Sequence, residues 1–245
     1  MIFDVHAHNG QWYFSMTTGE IDTNSAQLDA FGIDLQVISP VEGITYDPGL
    51  ANARTVAALA TDPRIYGYIV ANPRLPEVVA QDLARYADRP EFVGVKIHPW
   101  YADSAASEPS MLRLWDMLDE AGLPVLFHTW GPTVLELPAI LERRPRLRII
   151  AAHMGGSHWW DGVEAARRHD RVWLEPSCSI VERGKLEHAV ETLGVARLLF
   201  GTDATLINPA WTMGMYEELE LTETERDQIC WRNAVELFGV DAPRQ

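Results

Sequence analysis

Cysteine is scarce in this chain and lysine nearly absent. Among 245 residues the only cysteines are Cys178 and Cys230, far apart and in neither a CxxC pair nor a cysteine/histidine cluster. A disulfide framework and a thiolate metal site are therefore not expected, and both read as reduced thiols. Lysine occurs only at Lys96 and Lys185, and no basic residue precedes Arg54. With 20 basic residues against 35 acidic ones the formal charge is -15, a surface that repels phosphate backbones and anionic headgroups and so argues against nucleic acid and membranes as partners. No apolar run approaches the ~20 residues of a membrane span. The reduced thiols make the cytoplasm the expected compartment, and Met1 leads into Ile2-Phe3-Asp4-Val5-His6 without a basic leader or cleavage signal, so the first residues are expected to belong to the fold. Gly/Ser linkers, low-complexity tracts and charge blocks are also lacking, and residues 1–245 are expected to form one domain.

What is present is the 47% hydrophobic content of an ordinary globular core. Short apolar, β-branched runs begin near Ile2, Gln36, Tyr66, Val93, Pro124, Arg148, Val172 and Arg197, and alternate with longer stretches of helical periodicity. Ser110 to Ala121, with Leu112, Trp115 and Leu118 on one stripe, is an example, and Asn233 to Gly239 is predicted as the last helix. Eight such repeats match the ~250 residues of a closed barrel, so the predicted fold is α/β, a single TIM-type (β/α)8 barrel.

In such a barrel reacting groups sit at the C-terminal ends of strands and in the loops that follow. Five of the eight histidines fall there: His6 and His8 end strand one, His98 strand four, His128 strand five and His153 strand six, while Asp203 ends the apolar run Leu198-Leu199-Phe200-Gly201-Thr202. Strand alternation puts His6 and His8 on one face. His6, His8, His128 and Asp203 supply four imidazole and carboxylate ligands of the kind a catalytic zinc takes, and burying so many polar groups without a cation would be costly.

At these residues the sequence resembles the amidohydrolase superfamily, in the branch containing aminocarboxymuconate semialdehyde decarboxylase. The carriers, in order along the whole chain, are Phe3-Asp4-Val5-His6-Ala7-His8, Gly94-Val95-Lys96-Ile97-His98-Pro99, Pro124-Val125-Leu126-Phe127-His128, Ala152-His153-Met154-Gly155-Gly156, Phe200-Gly201-Thr202-Asp203 and Asn233-Ala234. The resemblance implies one divalent metal ion, zinc before others, held by His6, His8, His128 and Asp203, with His153 beside the bound water. Asp203 and His153 are then the catalytic pair: Asp203 takes the water's proton and passes it to a leaving group, and His153 orients the water. Related barrels are often dimers, which leaves a homodimer open. Asp203-Ala204-Thr205 departs from the aromatic residue and proline that relatives often carry after the aspartate, and this puts the eighth loop's geometry in doubt.

Lys96 shares a face with His98. It is expected to be an ammonium paired with Asp4 or Glu175, the alternative being the carbamylated bridging lysine of two-metal superfamily members; His98 is then a substrate contact. Trp12, Trp100, Trp130, Trp159, Trp160 and Trp211 follow strand-end motifs and could wall an apolar pocket for a small-molecule substrate, with Trp12, Trp100 and Trp130 taken as substrate-binding; Trp115, Trp173 and Trp231 read as core. The related decarboxylase is expected to hold its acid partly through a first-loop arginine, and Asn9 to Ser25 has none; Arg54, Arg74 and Arg183 read mainly as surface ion-pair partners. The leading expectation is therefore hydrolysis of an ester, lactone or amide in a small aromatic molecule. A metal-dependent decarboxylase or hydratase of a small carboxylic acid is the alternative, and a catalytically inactive metal-binding barrel the third reading.

Overall fold

Apolar alternation produces strands within one residue of the expected starts at seven of the eight places. The computed structural model describes residues 1–16, 18–178 and 180–241. It contains β1 (Phe3–Asn9), β2 (Leu35–Pro40), β3 (Ile65–Val70), β4 (Phe92–Ile97), β5 (Pro124–His128), β6 (Arg148–Ala152) and β7 (Val172–Glu175), parallel and in sequential order. The eighth run is not a regular strand. Residues 198–204 nevertheless bridge β7 to β1 and close the barrel: Leu199 N–H donates to the Leu174 carbonyl (2.9 Å), Val5 N–H to that of Phe200 (3.0 Å), and Asp203 N–H to that of His6 (2.7 Å). The ladder is interrupted because Thr202 N–H donates to the Asp4 carboxylate (2.9 Å) instead, and because Asp203 adopts φ 57°.

Helices fill the outer ring. Proline opens those at Pro48–Leu59, Pro76–Tyr86 and Pro109–Ala121, where its missing N–H is not needed, and Asp47 caps the first by accepting from Leu50 N–H at 3.0 Å. Met111, Leu114, Trp115 and Leu118 form the buried stripe of Pro109–Ala121, with Leu112 at its edge. The last helix, Asn233–Phe238, is tied to the closing segment by Asn233, whose side-chain amide donates to the carbonyls of Leu198 (2.7 Å) and Val195 (2.8 Å). Among the described residues no helix is long and apolar enough to cross a membrane.

Two cores separate along the strands. Val95, Val125, Ile149 and Leu174 pack outward against the helices, whereas Phe3, Val5, Val37, Tyr68, Leu126 and Ile150 form an inner cluster plugged from below by Leu237 and Phe238. In β1, two residues lie between Asp4 and Ala7 where β2 has one between Gln36 and Ile38. This bulge reverses which residues point inward. Phe3 and Val5 face the lumen before it, Ala7 faces the helices after it, and His6 and His8 are thereby aimed into the barrel mouth.

Candidate functional site

Above that apolar floor lies a buried cluster of imidazoles, carboxylates and one ammonium. His6 Nδ1 is 2.6 Å from Glu175 Oε2, so one proton lies between them and His6 Nε2 is left as an acceptor. His8 Nδ1 faces the Ser39 hydroxyl (2.9 Å) and carbonyl (3.2 Å); the carbonyl only accepts, which places the hydrogen on Nδ1 and the lone pair on Nε2. Both Nε2 atoms approach Asp203 Oδ1, at 3.5 Å from His6 and 3.0 Å from His8. Three acceptor atoms thus lie within 4.8 Å of one another, and the two histidine–carboxylate separations are close to the ~3.3 Å edge of a tetrahedron built on ~2.0–2.1 Å metal-ligand bonds.

His153 extends the cluster on a strained backbone. Its φ is 66° and that of Met154 54°, left-handed values that a non-glycine residue keeps only when its surroundings enforce them. Gly155 and Gly156 continue the turn, and a side chain at 156 would lie 2.5 Å from the Trp130 indole, so the turn and Trp130 pack face to face. His153 Nδ1 donates to the Ser177 carbonyl, leaving Nε2 to accept from His128 Nδ1 at 3.1 Å. His128 Nε2 is then a lone-pair nitrogen, buried and without a hydrogen-bond partner among the described residues. It does not share the tight His6, His8 and Asp203 group, but it offers the unpartnered donor atom expected of a metal ligand. His98 stacks on His128 at 3.9 Å between ring centroids, and its own Nδ1 is likewise unpartnered.

Burial governs the protonation states. It pushes Glu175 up to about 8 and His153 down to about 4, in each case as the largest cause. Burial and then the Lys96 charge hold His6 and His98 well below the ordinary imidazole range; burial and then His153 do the same for His128. For Asp203 burial alone would raise the value, but the close approach of His8 and the charges of His153 and Lys96 bring the net below the usual carboxylate range. At neutral pH the imidazoles His6, His98, His128 and His153 are uncharged and Asp203 is ionised, the state in which each can ligate a cation.

The expected ion pair of Lys96 is not formed. Asp4 lies behind the bulge, bonded to Gln36 and Thr202, and Glu175 is turned to His6; Lys96 Nζ instead donates to His6 Nε2 at 2.9 Å. Glu175 was left out of the sequence-derived site, although its place at the end of strand seven matches that of the histidines on theirs. A second group of donor atoms comprises His6, His153 and Glu175.

The tryptophans divide. Trp12 meets His8 edge-on at 5.3 Å, and Trp100 (5.8 Å) and Trp130 (6.5 Å, stacked) flank His128. These last two line a cleft of about 300 Å³ that also contains Phe127, Asp103 and Glu108. Trp159 packs with Trp160 and His188, and Trp211 shares a separate cavity of about 670 Å³ with Arg183. Arg54 is spent on Glu42 (2.8 Å) and Arg74 on Asp103 and the Ala102 carbonyl.

A profile of the amidohydrolase family matches residues 3–240. Gamma-resorcylate decarboxylase of Polaromonas sp. strain JS666 is 22% identical over 284 residues, covering 87% of this chain and 86% of that protein. Among solved structures, 2,6-dihydroxybenzoate decarboxylase in complex with 2,6-dihydroxybenzoate superposes with a TM-score of 0.79 at 18% identity, over 98% of this chain and 99% of the other. Dihydroxybenzoic acid decarboxylase of Polaromonas sp. JS666, with bound manganese and 2-nitroresorcinol, gives 0.75 at 17%, over 97% and 96%. At these identities the structural likeness establishes the barrel.

Proposed function

Since the chain belongs to the amidohydrolase family, we propose that it is a metal-dependent decarboxylase of a small aromatic acid. This reverses the order of preference drawn from the sequence, where hydrolysis stood first because no first-loop arginine was found. The observation that carries it is the convergence of His6 Nε2, His8 Nε2 and Asp203 Oδ1 beside an aromatic cleft, in a barrel whose similar proteins decarboxylate dihydroxybenzoates.

One divalent cation fits this donor set, with His128 as the fourth ligand through its unpartnered Nε2. A nitrogen and oxygen set accepts zinc and manganese alike, and the Polaromonas enzyme holds manganese. When bound, such an ion supplies Lewis-acid stabilisation of a developing oxyanion. The chain's own residues supply the rest. Decarboxylation replaces a carbon-carbon bond by a carbon-hydrogen bond, so the ring carbon must receive a proton as carbon dioxide leaves. Asp203, held ionised, accepts a proton from a substrate hydroxyl or water and returns it to that carbon, while His153, fixed by Ser177, orients the donor. Trp12, Trp100, Trp130 and His98 bound the ring and exclude water.

The test is incubation of zinc- and manganese-loaded protein with 2,6-dihydroxybenzoate and related hydroxybenzoates in D2O. Carbon dioxide release with deuterium at the vacated ring carbon is expected. Turnover of aryl esters or lactones without carbon dioxide would restore the hydrolase, which is favoured by the first loop's lack of arginine and by Asp103 and Glu108, two acids in the cleft.

A further inference from the structure

Lys96 is the one ammonium of the cluster, and its hydrogen-bonding capacity is largely unused. Its side chain is fully buried, yet its ammonium, with three donors, has a single described acceptor, His6 Nε2. Neither Asp203 nor Glu175 comes within 4.0 Å of Nζ as an ion pair among the described residues, although both attract it. A buried charged donor left unmatched is costly, and an apolar side chain of similar length would fill the space without that penalty. The single acceptor it does have is also a nitrogen that faces Asp203 and belongs to the donor set of the proposed cation.

A cation held by His6 Nε2 and the Lys96 ammonium are like charges a few ångströms apart. An anion with two oxygens that spans both relieves the repulsion and satisfies the unmatched donors, and a carboxylate has that shape. Arg54 holds Glu42 and Arg74 holds the loop at Ala102 and Asp103, while Arg183 lines the separate cavity beside Trp211. Resting on the aromatic-acid reading above, we propose that Lys96 is the residue that binds the substrate carboxylate, from the wall of the barrel rather than from a mouth loop. It answers the missing first-loop arginine: the counter-charge to the acid is carried on strand β4. Selectivity for an acid over its neutral amide is then set by Lys96, while ring affinity is set by the tryptophans.

The experiment compares wild type with Lys96→Met and Lys96→Gln, each loaded with zinc and checked for metal content by elemental analysis. Benzoate and benzamide are titrated calorimetrically as probes that share a ring and differ in charge. Both variants are expected to keep one metal ion and to bind benzamide as wild type does, while benzoate affinity falls about tenfold or more in Lys96→Met, equivalent to ~1.4 kcal/mol, and by less in Lys96→Gln, which retains a donor. The ratio of benzoate to benzamide affinity is the readout, because general loosening of the site would weaken both probes together. An unchanged ratio with metal retained overturns the assignment and leaves the aromatic-acid reading standing. Wild-type protein that binds benzamide but not benzoate overturns both. Loss of metal from the variants, or a fall from two ions to one, overturns it in favour of a metal-supporting lysine. Should Lys96→Met fail to fold, the ratio in Lys96→Gln decides.

Discussion

The lower and upper halves of the barrel lumen are built from the same strands and do opposite things. Below, Phe3, Val5, Tyr68, Leu126 and Ile150 close into an apolar plug over Leu237 and Phe238. Above, within a few residues on the same strands, His6, Lys96, His128 and Glu175 are equally buried or nearly so, but polar. The difference extends to the outside: all ten exposed large hydrophobics among the described residues, from Tyr13 to Trp211, follow strand ends at the mouth, and none lies in the turns that enter the strands. One end of the barrel is specified for stability and the other for contact, as the segregation of chemistry in this architecture requires. The lower half should tolerate loss of function but not loss of volume, and the upper half the reverse.

The largest effect should come from the upper half. Asp203→Asn keeps the shape but removes the carboxylate on which His6 and His8 converge, and turnover is expected to fall by about 10³ or more, with reduced metal content by elemental analysis and little change in melting temperature. A variant that unfolds instead would erase the contrast between the halves. In the lower half, Leu35→Ala removes volume from the inner cluster far from the histidines. Chemical denaturation should show a loss of about 2 to 3 kcal/mol, with metal content intact.

Much of this division was legible in the sequence. Strand starts were readable because β-branched apolar runs mark them, and His6, His8, His128, His153 and Asp203 because a polar residue ending such a run has no packing reason to be there. Neither the β1 bulge nor its consequence could be read: alternation alone puts Asp4 and His6 on one face, and only an inserted residue separates Asp4, tied to Gln36 outside the lumen, from His6 within it. The pairing of Lys96 was misjudged for a related reason. Asp4 and Glu175 were its two candidate partners, but the bulge takes Asp4 out of the lumen and Glu175 is turned to His6 Nδ1, which leaves His6 Nε2 facing Lys96. The eighth run was expected as a strand but makes only isolated bridges, since a side-chain acceptor on Asp4 competes for its backbone.

A smaller effect tests how the upper half is held. A Cβ on Gly201 would come within 2.6 Å of the Glu175 carboxyl, so Gly201 exists to admit that side chain beside His6. Gly201→Ala should displace Glu175, free the His6 ring to rotate and weaken metal binding about tenfold or more, the cost typical of losing a ligand's hydrogen-bond partner. Titration of the apoprotein with zinc in competition with a chelator measures it. Unchanged affinity would mean that the bulge alone orients His6.

The smallest effect belongs to the lower rim, where charge stays close to solvent. Asp62, just before β3, accepts from Arg64 (2.7 Å) and Ser25 (2.7 Å), and the Arg64 hydrogen bond is the chief reason its carboxyl is lowered from 3.8 to about 2. Because the folded value is depressed, the stabilisation is complete above the unfolded value near 3.8 and disappears as pH falls through 2. The Arg64 side chain is 36% exposed, so solvent screening reduces the contribution to on the order of 1 kcal/mol. Asp62→Asn should therefore lower stability at pH 7 by about that much, with wild-type and variant denaturation curves converging between pH 4 and 2. A loss that persists unchanged at pH 2 would show that packing at the rim, not the ion pair, does the holding, and that the two ends of the barrel differ less in their use of charge than their interiors do.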